Sequence, residues 1–220
     1  MPTTKSSLRI LATSFLVLLP VHFLFPSQLK GPARLEDLAG FGGLGREILR
    51  IYSLIKLNRA DVEESPAWDM AKIIARESRK NSLDPILVVA VINVESQFRP
   101  DAVSEKGARG LMQIRPEAAA ALAQVPYPEA HLIASSTNPD LLHDPTTNIK
   151  IGVSYLGHLR KRFRDLKLAL MAYNCGPTKI QKTLDENEEL DQAYALKVLS
   201  TYDSYRIKKA PGRKEPWKAT

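Results

Sequence analysis

The sequence predicts a mainly α-helical domain, and a few observations carry that prediction. Apolar residues recur at helical rather than alternating spacing, an N-cap residue followed by proline opens several segments, and no convincing alternating strand is visible. At 220 residues, 44% hydrophobic and 25% charged, the chain is long enough for one globular domain with appendages.

The first appendage is N-terminal. Lys5 and Arg9 precede an apolar stretch over residues 10–25, the arrangement of an export signal. Pro20 and His22 interrupt that stretch, and its 16 residues fall short of the roughly 20 that a membrane span requires. No small-x-small cleavage pattern follows, so residues 1–26 read either as a signal peptide or as an uncleaved signal anchor, with residues 8–25 as the anchoring segment. The glycine-rich residues 27–45, including "GFGGLG", read as a linker.

Helix signals follow in order. "REILRIYSLIKLNRA" (46–60) carries Ile48, Ile51, Tyr52 and Ile55 at i, i+3, i+4, i+7, an amphipathic helix expected to pack on the domain rather than lie on a membrane. Proline lacks the N–H that goes unpaired in a first helical turn, so Ser65-Pro66, Asp84-Pro85 and Asp144-Pro145 predict helices over 66–80, 85–97 and 145–163. A shorter helix is expected after Pro116 through the alanine run, another over 165–174 stopping at Gly176-Pro177, and two more over 178–184 and 190–207. The run "ILVVAVINV" is β-branched enough for a buried strand, but its Asp-Pro start and its continuation through Glu95 favour a central helix covered on all sides. The organisation predicted is a linker and amphipathic helix over 27–64, a domain over 65–206 and a basic tail over 207–220.

Charge and cysteine content exclude several classes. The net charge is +7, and residues 206–220 hold six basic residues against one acidic, +5, leaving +2 for the rest. Such a tail suits an anionic surface, and the absence of a dispersed basic face with interleaved aromatics argues against nucleic-acid binding. Cys175 is the only cysteine, so no internal disulfide can form, and without a partner histidine it reads as a small apolar group. His22, His131, His143 and His158 show no metal-ligand spacing, and "DENEELD" lacks the glycine and final glutamate of a calcium loop. No metal and no cofactor are implied. "SLIK" fits Ser-x-x-Lys, but its companion motifs are missing.

Glu95 is the candidate catalytic group. It ends the apolar run, where burial and the negative end of a helix both disfavour ionisation and raise its pKa. A carboxyl that keeps its proton near neutral pH is a general acid. The competing reading places Glu95 exposed at a frayed helix end or paired with an arginine.

The residues that follow decide between these. In residues 95–119, "ESQFRPDAVSEKGARGLMQIRPEAA", the positions of Glu95, Ser96, Phe98, Pro100, Ser104, Gly107, Ala108, Gly110, Leu111, Met112 and Gln113 resemble the signature of the soluble lytic transglycosylase catalytic domain. "NIKIGVSYL" (148–156), "ALMAYNCGP" (169–177) and "YALKVLSTYDSY" (194–205) resemble three further blocks in the same order. The resemblance implies a lysozyme-like helical fold and cleavage of peptidoglycan strands without water. In it Glu95 is the acid and then the base, and no second carboxylate is needed, with Asp101, Glu105 and Glu117 solvated. Ser104, Met112, Gln113, Tyr173, Asn174 and Tyr194 are the expected substrate-binding residues, and a helix is expected to restart at Leu111. Arg115 departs from the methionine often found at its place, which is expected to alter contacts around the groove or to place a charge near an anionic peptide stem, and Leu190 and Asp191 stand where the family carries Glu-Thr. A lysozyme-type hydrolase and a non-catalytic wall-binding protein are the alternatives.

Overall fold

The computed structural model describes residues 42–116 and 139–207. Among these residues the chain forms α1 (Gly42–Asn58), α2 (Glu64–Lys80), α3 (Pro85–Ser96), a 3-10 turn (Pro139–His143), α4 (Pro145–Phe163), α5 (Leu166–Cys175), α6 (Pro177–Asp185) and α7 (Ala193–Ile207), with only isolated bridges and no strand. The leader, the helix expected after Pro116, Glu117, His131 and the tail beyond residue 207 lie outside the described residues.

The central helix is α3. Asp84 caps it, accepting a hydrogen bond from the Ile86 N–H at 2.8 Å, and Pro85 fills the first position. Every residue from 86 to 92 is buried, so the helix has no solvent face and is packed by α7, α2 and α1. Each of its Val, Leu and Ile side chains contributes about 1.5–3 kcal/mol of hydrophobic stabilisation when fully removed from water.

Tyrosines at two levels fix α7 on α3. The Tyr202 hydroxyl donates to Asp84 Oδ2 at 2.6 Å, and the Tyr194 hydroxyl donates to Glu95 Oε1 at 2.5 Å. Because Tyr202 lies toward the end of α7 and Asp84 at the start of α3, the pair sets an antiparallel register. The cap that starts α3 and the carboxyl that ends it are therefore held by one neighbouring helix.

Helix α1 packs on the domain. Ile51, Leu54 and Ile55 are buried, and the Tyr52 ring stacks on Trp68 with centroids 4.3 Å apart and planes 12° from parallel. It begins at Gly42, so part of the expected linker is helical. Leu44 and Ile48 pack against the core there, and that burial offsets the entropy lost by ordering glycine.

The caps followed the sequence unevenly. Asp144 accepts from Thr147 N–H at 2.7 Å, as Asp144-Pro145 predicts, while α2 starts at Glu64 and places Pro66 inside its first turn, where a missing N–H is also harmless. Asp165 supplies a cap that the sequence reading had not named, accepting from Leu168 N–H at 2.7 Å. No described helix is long and apolar enough to cross a membrane.

Candidate active site

Glu95 sits in the last turn of α3, half-buried. The chain leaves the helix through two consecutive left-handed residues, Gln97 (φ 53°) and Phe98 (φ 59°), each costing on the order of 1 kcal/mol for a non-glycine residue. Complete burial of the Phe98 ring offsets that cost and locks the exit. The buried Ser96 hydroxyl donates to the Leu111 carbonyl at 2.8 Å. Ser96 and Phe98 thus anchor the segment in the core while Glu95 faces an open trough of about 800 Å³.

One wall of the trough is the loop over residues 99–114. The Ser104 hydroxyl accepts from the Ala108 N–H at 3.0 Å and closes a turn whose Gly107 has φ 75°. Gly110, also at φ 75°, is required for space as well: a Cβ there would lie 2.2 Å from the Leu142 carbonyl oxygen and 2.3 Å from Asn148 Nδ2. The approach exists because Asn148, wholly buried on α4, ties the loop down. Its Oδ1 accepts from Met112 N–H at 2.7 Å, and its Nδ2 donates to the carbonyls of Arg109 at 2.9 Å and Leu142 at 2.8 Å.

Leu111, Met112 and Gln113 form a turn rather than a restarted helix. Gln113 adopts φ 48°, which a continuing helix cannot accommodate, and its N–H bonds to the Gly110 carbonyl at 3.2 Å. The Gln113 amide nitrogen donates to the carbonyls of Ala102 (3.1 Å) and Gly110 (2.9 Å), which leaves its oxygen as the acceptor at the trough. Met112 does not line the trough. Its side chain is fully buried against Gly152, where an added Cβ would come within 2.4 Å of the sulfur, and only its backbone carbonyl serves the site, accepting from the Tyr173 hydroxyl at 2.8 Å.

The opposite wall comes from α5 and α6. Glu95, Ser104, Gln113, Tyr173 and Asn174 line one trough, joined by Cys175 and by Arg115 and Lys179. Tyr194 reaches the site through its bond to Glu95 rather than as part of the lining. The Tyr173 ring leans on Tyr155, with centroids 5.5 Å apart.

The electrostatics favour a held proton. Burial raises the Glu95 pKa from 4.5 to about 7, against the opposing Tyr194 hydrogen bond and the Lys197 charge, and no other carboxylate among the described residues acts on it. Tyr194 and Tyr173 are pushed well above the ordinary value of 10, first by burial and then by Glu95, so both stay protonated donors. Glu105 lines the trough, as do Glu188, Glu189 and Asp191, but none is among the groups acting on Glu95. Burial also raises the Cys175 thiol, which keeps it neutral and unreactive. Among the described residues no cluster of His, Cys, Asp or Glu could hold a metal ion.

Asn148 and Lys179 reach the site without a role expected from sequence, whereas Arg115, expected to alter contacts around the groove, does line the trough. Asn148 carried a usable signal, a polar residue on the helix face continued by Ile151, Gly152 and Tyr155.

Comparison with known proteins places this architecture. The transglycosylase SLT domain family matches residues 72–196, more than half of the chain. The chain is 33% identical over 138 residues to membrane-bound lytic murein transglycosylase E of Buchnera aphidicola subsp. Acyrthosiphon pisum, covering 59% of this chain and 58% of the relative. It is 32% identical over 162 residues to the protein of the same name from Buchnera aphidicola subsp. Baizongia pistaciae, covering 70% of this chain and 74% of the relative. The crystal structure of the 70 kDa soluble lytic transglycosylase from Escherichia coli superposes with a TM-score of 0.52 at 21% identity, over 80% of this chain and 31% of that one. That likeness establishes a shared lysozyme-like helical fold.

Proposed function

The chain belongs to the transglycosylase SLT domain family, and from that premise we propose that it is a lytic transglycosylase. It cleaves the bond between N-acetylmuramic acid and N-acetylglucosamine in peptidoglycan and leaves a 1,6-anhydromuramyl end. The observation that carries the reading is a single carboxyl, Glu95, held protonated near pH 7 beside a trough of about 800 Å³.

The steps balance without water. Glu95 gives its proton to the glycosidic oxygen as the bond to the anomeric carbon breaks. The resulting carboxylate takes the proton of the muramyl C6 hydroxyl as that oxygen closes on the anomeric carbon. Tyr194 holds Oε1 throughout, so Oε2 is the oxygen that gives and regains the proton. With no second carboxylate among the described residues acting at Glu95, the muramyl acetamido group stabilises the anomeric centre, the task a second carboxylate performs in most glycosidases. Gln113 and Asn174 offer amide groups to sugar hydroxyls, and Tyr173 with Tyr155 shapes the floor. Met112 acts through its backbone carbonyl rather than on the sugar, while Ser104 both closes the loop turn and faces the trough.

The protein works in the bacterial cell envelope, where its relatives carry membrane-bound and soluble forms of the activity in their names. Residues 1–26 are the export leader, as a cleaved signal or as an anchor. Mass spectrometry of digested sacculi is the test. Products lighter by one water than hydrolytic muropeptides, lost in Glu95→Gln, support the transglycosylase. Hydrated products make the protein a muramidase, and undiminished digestion by Glu95→Gln removes the catalytic assignment.

A further inference from the structure

A second groove, of about 400 Å³, shares no lining residue with the trough. It opens where the turn between α1 and α2 meets the exit of α3 and the start of α4. Met70, Ile73 and Phe98 are its buried floor, and Pro66, Pro100 and Pro145 stand along its sides. Its charged lining is Arg59, Asp61 and Asp69. Asp61 holds Arg59 through two bonds of 2.7 Å, Lys72 pairs with Asp69 at 2.8 Å, and Asp101 acts on Arg59. The lining and these partners therefore hold three acids against two cations, and Lys56 and Glu64, paired at 3.3 Å beside Val62, cancel. Both lining carboxylates are exposed, Asp61 at 67% and Asp69 at 63%.

The end of α7 names an occupant. Two residues before its last, the Tyr205 hydroxyl donates to Asn58 Oδ1 at 2.8 Å, and Asn58 directly precedes Arg59. Residues 208–220 follow, with five basic residues, one acidic residue and a single aromatic, Trp217. Trp217 lies ten residues past Ile207, a reach of roughly 33 Å of extended chain, ample for a groove that starts beside Asn58. Its indole buries about 150–250 Å² when it finds a seat, and a thioether between proline rings is a favourable surface for it. The groove carries one net negative charge, so the indole supplies most of the fit and the flanking Lys214 and Lys218 orient it.

We propose that residues 208–220 fold back on their own domain and seat the Trp217 indole in this groove, with the neighbouring lysines on its acidic side. Arg59 already crosses from the α1–α2 turn to the exit of α3, its Nη1 donating to the Gln97 carbonyl at 3.4 Å. A tail seated over Arg59 and against Phe98 and Pro100 clasps that turn to the segment that follows Glu95.

Methyl NMR of the full chain with isotope-labelled methionine tests this, because Met70 lines the groove, Met171 lines the trough and Met112 lines neither. Trp217→Ala should move the Met70 signal, as the indole's ring current is lost, and leave Met112 and Met171 in place. In a background of Asp61→Lys and Asp69→Lys, whose rim repels a basic segment, Trp217→Ala should move Met70 less. A Met70 signal indifferent to Trp217→Ala, or one that moves equally in the reversed-charge background, overturns the proposal. So do three other outcomes. Movement at Met171 in place of Met70 puts the tail at the trough, and a Met70 response that grows with protein concentration seats the tail of a second copy. Binding to anionic phospholipid vesicles that Trp217→Ala abolishes, with Met70 unmoved, assigns the tail to a lipid surface.

Discussion

Tyr194 donates its phenolic hydrogen to Glu95 across 99 residues of sequence, at 2.5 Å, and burial raises the pKa of both groups. The bond favours the carboxylate and so works against burial, which favours the acid. The balance leaves Glu95 at about 7, where a proton can be both given and regained.

Replacing Tyr194 with Phe removes the group that lowers the Glu95 pKa, so the alkaline limb of kcat/KM should move upward from about pH 7. Turnover should fall about tenfold, since the carboxyl also loses the bond that orients it. Lys197→Met should shift the limb the same way by less, because that charge is exposed and salt screens it. A pH–rate series on the parent and both variants measures this, and a limb that moves downward in Tyr194→Phe contradicts the arrangement.

The same carboxyl makes the fold less stable in base. The folded state raises Glu95 from 4.5 to about 7, so it keeps a proton that the unfolded chain has lost. Below pH 4.5 both states are protonated and the group has no effect; stability falls as pH rises through this window, by up to about 3 kcal/mol once above 7. Glu95→Gln keeps the shape and removes the charge. Its unfolding midpoint should match the parent at about pH 4 and exceed it by several degrees at about pH 8. Thermal melts at the two pH values decide it, and an inactive variant that is also less stable in base would contradict a buried acid.

Much of this was legible in the sequence. Asp84-Pro85 marked the start of α3, the apolar run announced its burial, and the motif around Glu95 named the acid. What escaped is what one-dimensional periodicity cannot carry. Met112 sits in the motif that follows Glu95, but only the approach of Gly152 shows that its side chain faces the core. Gln113 is not a glycine, so nothing in its identity announced the left-handed backbone that stops a helix there. Arg115 and Lys179 are 64 positions apart, and only the fold brings them to one trough.

Asn148 holds the catalytic loop through bonds to both sides of it, and its loss should be felt in stability and in rate. Asn148→Ala leaves the Met112 N–H and the Leu142 carbonyl without this partner, while the Arg109 carbonyl keeps the Ile114 N–H at 3.0 Å, at a cost on the order of 2–3 kcal/mol. Asn148→Asp keeps the acceptor for Met112 but turns the donating nitrogen into an oxygen facing two carbonyl oxygens, so it should cost at least as much as alanine despite its matching shape. Gly110→Ala probes the same contact from the other side, with a Cβ 2.2 Å from backbone oxygen and a left-handed φ of 75° that alanine adopts only under strain. Urea unfolding gives the stabilities, and assays at a temperature where each variant stays folded give the rates. If Asn148→Asp matches the parent in both, the loop is held by something other than this side chain. If the variants lose stability but keep full activity, the position of Gln113 does not depend on Asn148.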